Sequence, residues 1–239
     1  GFELGETRLA NAQGFGDAVP DASSEFAVTN LAPTFFVEES AQIDRLEVFN
    51  DSSVADDTGT LTSTRLSGLG MAEDLTLNTG TSTDPMDETF AGGITYADIE
   101  ILELMLGQGN DHLTIEGTLE TDADHGGLTV VHGGGNAFRD AAETDIGGDT
   151  IVVNGGGGPE SPLVVFGDTA QDGVRYSGTS GVRSENAIAF DHAGDDVIDA
   201  SASAAGVSLY GGGGDDTIYG SQAGDHLAGG SGDDEIHGQ

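Results

Sequence analysis

The residues best placed to do chemistry are aspartates that recur behind glycines near the end of the chain. Gly211-Gly212-Gly213-Gly214-Asp215-Asp216-Thr217-Ile218-Tyr219 runs directly into Gly220-Ser221-Gln222-Ala223-Gly224-Asp225-His226-Leu227-Ala228. Gly229-Gly230-Ser231-Gly232-Asp233-Asp234-Glu235-Ile236-His237 follows. The first and third copies read G-G-x-G-x-D-x-U-x, where U is a large apolar residue; the middle copy keeps its first glycine, the aspartate and U. Glycine tolerates positive φ, so such a run can curl tightly and turn peptide carbonyls toward a concavity. The aspartate adds a carboxylate to the same space. An oxygen-only, carbonyl-rich set suits Ca²⁺, whereas Mg²⁺ demands a tighter octahedron. The x-U-x triplet then makes a minimal strand whose central residue, Ile218, Leu227 or Ile236, points inward.

Each nonapeptide is thus one turn plus one strand. Two of them complete a coil, and turns eighteen residues apart stack on the same edge. Asp216 and Asp234 have that separation, so the site between them is expected to be the best formed. Asp225, on the opposite edge, would stack on Val207, and a full site there needs a further rung beyond Gln239. Ala193-Gly194-Asp195-Asp196-Val197-Ile198 is another copy that lacks its first two glycines. Twenty residues separate Asp196 from Asp216, so Asp196 and Gly194 can share an ion with the next turn if two residues loop out between 200 and 205. Upstream, Gly107-Gln108-Gly109-Asn110-Asp111 is a degenerate copy that makes Asp111 and Gly109 an isolated candidate, and Asp149 follows Gly147-Gly148. For Asp111 and Asp149, ligand and simple turn former both stay open.

The nonapeptide resembles the calcium-binding repeat of the RTX (haemolysin-type) family. The resemblance is close over residues 191–239 and looser over 107–190. It implies several Ca²⁺ ions between stacked turns, held by aspartate carboxylates and glycine carbonyls. On this chain those are Asp216 and Asp234, with Gly212, Gly214, Gly230 and Gly232 as carbonyl donors. It also implies a chain that stays unfolded where calcium is scarce and folds where it is plentiful.

The composition points the same way. The formal charge is −37, from 43 acidic residues against six arginines and no lysine. Such a surface repels nucleic acid and anionic membrane, and its self-repulsion opposes compaction unless cations neutralise it. A halophilic surface would be as acidic. Without cysteine there are neither disulfides nor thiolate metal sites. No apolar run approaches the roughly 20 residues that span a bilayer. The missing lysine excludes a Walker P-loop, and neither G-x-S-x-G nor H-E-x-x-H occurs. Enzymes built on parallel β-helices that act on acidic polysaccharides need basic groups, and six arginines supply few. No catalytic residues are assigned. His112 and His226 fall at the variable position between Asp and U, where a rung-surface residue is expected.

These turns need strands between them. Residues 1–33, rich in Gly, Ala, Asp and Ser, read as an N-terminal arm or a linker between modules. Short β-branched runs then recur: Leu113-Thr114-Ile115, Leu128-Thr129-Val130-Val131, Thr150-Ile151-Val152-Val153 and Leu163-Val164-Val165-Phe166, with 175–176 and 187–190 continuing less clearly. Residues 96–106 fit a helical spacing, but the glycine turn that follows favours strand. Strands this short are unstable alone and are best satisfied by winding a parallel solenoid in which each rung buries its apolar row against the next. The expected fold is all-β: a right-handed parallel β-helix, irregular over 34–190, that ends in an RTX-type calcium β-roll over 191–239. A β-sandwich is the alternative for 34–130. The chain opens at Gly1 with neither an initiator Met nor a leader, which reads as a segment of a larger exported bacterial protein. Its expected role is a structural or adhesive, non-catalytic module on the cell surface or outside the cell, with self-association through the solenoid ends. The alternatives are the carrier module of a secreted enzyme and an enzyme on the β-helix itself.

Overall fold

The computed structural model describes residues 43–50, 53–81, 83–119, 127–135, 147–169 and 193–239. The expected arm at 1–33 and the fragments at 175–176 and 187–190 lie outside them. The described residues are all-β, without a helix. In chain order the strands are β1 (Arg45–Phe49), β2 (Thr58–Leu61), β3 (Arg65–Gly68), β4 (Leu75–Asn78), β5 (Asp87–Phe90), β6 (Ile94–Thr95), β7 (Ile101–Gly107) and β8 (His112–Ile115). They continue with β9 (Leu128–Gly134), β10 (Thr150–Val153), β11 (Leu163–Phe166), β12 (Val197–Asp199), β13 (Ser208–Gly213), β14 (Thr217–Tyr219), β15 (His226–Ser231) and β16 (Glu235–His237). Residues Asp44–Gln239 cluster as one unit.

Two sheets dominate. The first runs β1-β7-β9-β11-β13-β15, parallel throughout. The second runs β16-β14-β12-β10-β8-β2, also parallel, and is continued by the antiparallel β3 and β6. From β7 onward, each strand of one sheet is followed in the chain by a strand of the other. Parallel neighbours need a long crossover connection, and here that crossover contains a strand of the opposite sheet. β1, β2, β7 and β8 join the same parallel sheets as the later strands. Antiparallel pairing is confined to β2-β3-β6 and to the hairpin β4-β5. Residues 101–107 are the expected strand and not a helix.

Alternation within the strands builds the core. In β10, Ile151 and Val153 are buried while Thr150 and Val152 are partly exposed. Parallel register then stacks like on like: Leu113, Ile151, Ile198 and Ile218 form one column, and Leu104, Val131, Val165 and Leu209 form its counterpart in the other sheet. All eight are fully buried and belong to one cluster. Each contributes roughly 1.5–3 kcal/mol by leaving water. Of the three expected inward residues, Ile218 is fully buried and Leu227 packs partly against the core. Ile236 differs, being 44% exposed. Among the described residues its strand β16 is the outermost of its sheet and pairs with β14 alone, so one flank of Ile236 has no described rung beside it.

The C-terminal coils have the expected repeat. Ser208 pairs with His226 and Thr217 with Glu235, each eighteen residues on. Val197 pairs with Thr217 at a separation of twenty. The two extra residues lie between the Ala200 N–H, bonded to the Tyr219 carbonyl, and the Val207 carbonyl, bonded to the His226 N–H. The glycine halves are more regular than turns: Gly212 pairs with Gly230 and Gly213 with Ser231 as a continuation of β13 and β15.

Candidate metal centre

Six aspartates each precede a strand of the second sheet: Asp57 before β2, Asp111 before β8, Asp149 before β10, Asp196 before β12, Asp216 before β14 and Asp234 before β16. The parallel register therefore places them in single file along one edge. A hydrogen bond links each to the next. The Asp57 N–H donates to Asp111 Oδ1 at 2.8 Å, the Asp111 N–H to Asp149 Oδ1 at 2.7 Å and the Asp149 N–H to Asp196 Oδ1 at 2.7 Å. The Asp196 N–H donates to Asp216 Oδ1 at 2.8 Å and the Asp216 N–H to Asp234 Oδ1 at 3.1 Å. Asp111 is thus no isolated candidate. It and Asp149 belong to the same file as the C-terminal aspartates, although their separations along the chain are 38 and 47 residues.

The second carboxylate oxygen carries the chemistry. Asp111, Asp196 and Asp216 are each 1% exposed, and their Oδ2 atoms are buried and accept no hydrogen bond. A buried carboxylate oxygen left this way is costly and calls for an explanation such as an ion. Burial raises the Asp111 and Asp216 carboxyls to about 6, and neighbouring carboxylates add to the shift. Burial raises Asp196 to about 9, with Asp149's charge next in importance.

The glycines explain what faces these oxygens. A Cβ at Gly211 would collide with Asp216 Oδ2 and meet the Gly229 carbonyl. A Cβ at Gly167 would do the same with Asp196 Oδ2 and the Gly211 carbonyl, and one at Gly229 would strike Asp234 Oδ2. Asp196 Oδ2 and Asp216 Oδ2 therefore each share their space with a glycine of their own turn and a peptide carbonyl of the next. Gly212, Gly214, Gly230 and Gly232 all have positive φ, between 119° and 134°. They stack closely: a Cβ at Gly230 or Gly232 would strike the carbonyl of Gly212 or Gly214 in the previous coil. Gly194 sits under Gly214 in the same way, and Gly109 against the Ala55 carbonyl. The carbonyls of Gly211 and Gly229, the first glycine of each turn, lie in the space beside Asp196 Oδ2 and Asp216 Oδ2.

A second row runs beside the first. The Asp215 N–H donates to Asp195 Oδ1 and the Asp233 N–H to Asp215 Oδ1, both at 2.8 Å and both exposed. Asp168 adds a further carboxylate: its Oδ2 accepts the Gly213 N–H at 2.8 Å and its Oδ1 the Gly194 N–H at 3.2 Å. Burial raises it to about 6, and Asp216's charge contributes.

The opposite edge is different. Asp225 does stack on Val207, whose N–H donates to its Oδ1 at 3.0 Å. The Ser221 hydroxyl donates to the same oxygen at 2.6 Å and the Ser221 N–H to Oδ2 at 2.7 Å. Both oxygens of Asp225 are engaged. Around it hydroxyls do the work, with Ser203 bonded to the Gly156 carbonyl and Thr118 to Ser161.

Other titratable groups lie elsewhere. His112 and His226 are exposed on the surface as expected. His132 is buried, which lowers it to about 4, with Nε2 3.2 Å from Glu103 Oε1. Arg45 bridges Glu103 and Glu47.

Asp57 and Asp168 were not legible as site residues. Asp57 is followed by Thr58-Gly59, with no apolar U residue to complete the motif. Asp168 occupies a position where the motif has glycine. Among the described residues no three acidic or imidazole side chains converge into a ready-made cage; the turns offer single inward carboxylates with peptide carbonyls, a donor set of hard oxygens that fits Ca²⁺. No family model, curated protein or solved structure matches this chain.

Proposed function

We propose that this chain is a calcium-dependent β-solenoid of RTX type, whose coils close along the aspartate edge when Ca²⁺ is present. The observation that carries the reading is the set of buried, unsatisfied Oδ2 atoms on Asp111, Asp196 and Asp216, recurring from coil to coil. The residues that would hold the ions are Asp111, Asp149, Asp196, Asp216 and Asp234, with carbonyls from Gly211 and Gly229. Bound calcium supplies positive charge where the carboxylates repel one another. The chain's own contribution is positional: the parallel register holds one carboxylate per coil on the same edge, and Oδ1 is fixed by the neighbouring amide while Oδ2 is left to the ion. Asp225 is read as a hydrogen-bond acceptor that seals the other edge without metal.

Because the ions bind the folded chain and not the extended one, their binding free energy becomes folding free energy. A chain of charge −37 would then remain extended where calcium is scarce and fold outside the cell. This suits a structural or adhesive module of an exported bacterial protein, with no catalysis of its own. Far-UV circular dichroism at pH 7 tests the reading. EDTA should remove most of the β signal and millimolar Ca²⁺ restore it; a spectrum indifferent to chelation would sink it.

A further inference from the structure

We propose that Asp168 supplies a third carboxylate to the turns of Asp196 and Asp216, which makes this interval the tightest calcium site of the described unit. The inference rests on the calcium reading above and adds to it a residue outside the repeat motif.

The register isolates Asp168. Phe166 pairs with His132 on one side and Tyr210 on the other, so the residue two places on shares a column with Gly134 and Gly212. Gly107 and Gly230 extend that column at either end. Every other described member is glycine. The Asp168 side chain occupies the space above Gly212, where a Cβ would collide with its carboxylate.

Three carboxylates thereby line two consecutive turns without converging on a single point. Asp196 Oδ2 lies against Gly167, the residue before Asp168, and Asp216 Oδ2 lies against Gly211, the residue before Gly212. Both oxygens are buried and accept no hydrogen bond. The charges of Asp168 and Asp216 both bear on Asp196. In the next interval, Asp216 to Asp234, the column positions are Gly212 and Gly230, and neither carries a carboxylate. The affinity of an oxygen site for calcium rises with the number of charged ligands and with rigidity. Asp168 brings both: the amides of Gly213 and Gly194 hold its carboxylate with one hydrogen bond to each oxygen, which leaves each a lone pair for the ion, whereas Oδ1 of Asp225 already accepts two.

Calcium titration of the full chain at pH 7 tests this, by calorimetry and circular dichroism in parallel, with Asp168→Asn and Asp168→Gly beside the wild type. Asn keeps the shape, and Gly restores what the rest of the column carries. The expected result is loss of the tightest step, weakened at least about tenfold, with later steps intact and the wild-type β signal at saturating calcium. Variant isotherms that superimpose on the wild type's overturn the inference while leaving the calcium reading standing. So does failure of both variants to reach the wild-type β signal in saturating calcium, which would make Asp168 a structural cap of the two glycine amides. A wild type that takes up no calcium refutes the broader reading itself.

Discussion

Replacing Asp196 by Asn should stabilise the metal-free protein and destabilise the calcium-loaded one. Burial is the chief cause that raises the Asp196 carboxyl from 3.8 to about 9. In the unfolded chain at pH 7 it is ionised; in the metal-free fold it must hold a proton. The gap between 3.8 and pH 7 corresponds to about three proton-affinity units, or on the order of 4 kcal/mol against folding. An amide carries no such penalty, and its oxygen can still accept the Asp149 N–H as Asp196 Oδ1 does. With a typical domain stable by only about 5–15 kcal/mol, a change of that size is readily seen. In EDTA at pH 7, Asp196→Asn should therefore retain more β signal than wild type, whose fold chelation largely removes. In saturating calcium the order should invert, because the variant has lost a charged ligand. At pH 4 in EDTA the difference should shrink to about 0.6 kcal/mol, since the wild-type carboxyl is then protonated in the fold and about two-fifths protonated in the unfolded chain. A variant less stable than wild type in both media, or a difference that is the same at pH 4 and pH 7, would refute the reasoning.

Other outcomes follow from the same geometry. The folded-state affinities of Asp111 and Asp216, about 6, and of Asp196, about 9, lie above the unfolded value of 3.8. Metal-free stability should thus be fully present below pH 3.8 and fall as pH rises through 6 toward 9; a pH titration of circular dichroism in EDTA checks this, and a rise from pH 4 to 7 would contradict it. Gly230→Ala places a side chain at φ 132° and against the Gly212 carbonyl, at a cost of at least about 1–3 kcal/mol in calcium-saturated urea titrations. Gly224→Ala, with nothing within 4 Å of the new Cβ, should stay within roughly 0.5 kcal/mol. Asp225→Asn forces an amide against the Ser221 N–H and should cost about 1–2 kcal/mol while leaving the number of bound calcium ions unchanged.

Local pattern announced much of this molecule. Strict alternation in Thr150-Ile151-Val152-Val153 and the glycine turn after residue 106 were enough to place strands. The eighteen-residue stacking of Asp216 on Asp234 followed from the nonapeptide alone, as did the two-residue loop that lets Asp196 reach Asp216. The unity of the aspartate file was not legible. Asp111, Asp149 and Asp196 are separated by long segments of unequal length, and only strand register, a property of pairing across the fold, brings them into line. Asp168 was hidden for a related reason: it stands at a glycine position, so its partners come from neighbouring coils and not from neighbours in sequence. Asp225 shows the converse. It matches the motif, but a serine at 221 engages its carboxylate through both backbone and hydroxyl. The antiparallel excursion of β3 to β6 had no forecast, because its apolar residues are as sparse as those of the rungs around it.

The most direct test of the central claim is a count of calcium ions on the native chain, equilibrated in calcium buffer at pH 7 and measured by elemental analysis alongside its β content. The account predicts several ions per chain, lost together with the β signal on chelation. A chain that keeps its full β signal and carries no calcium would contradict it.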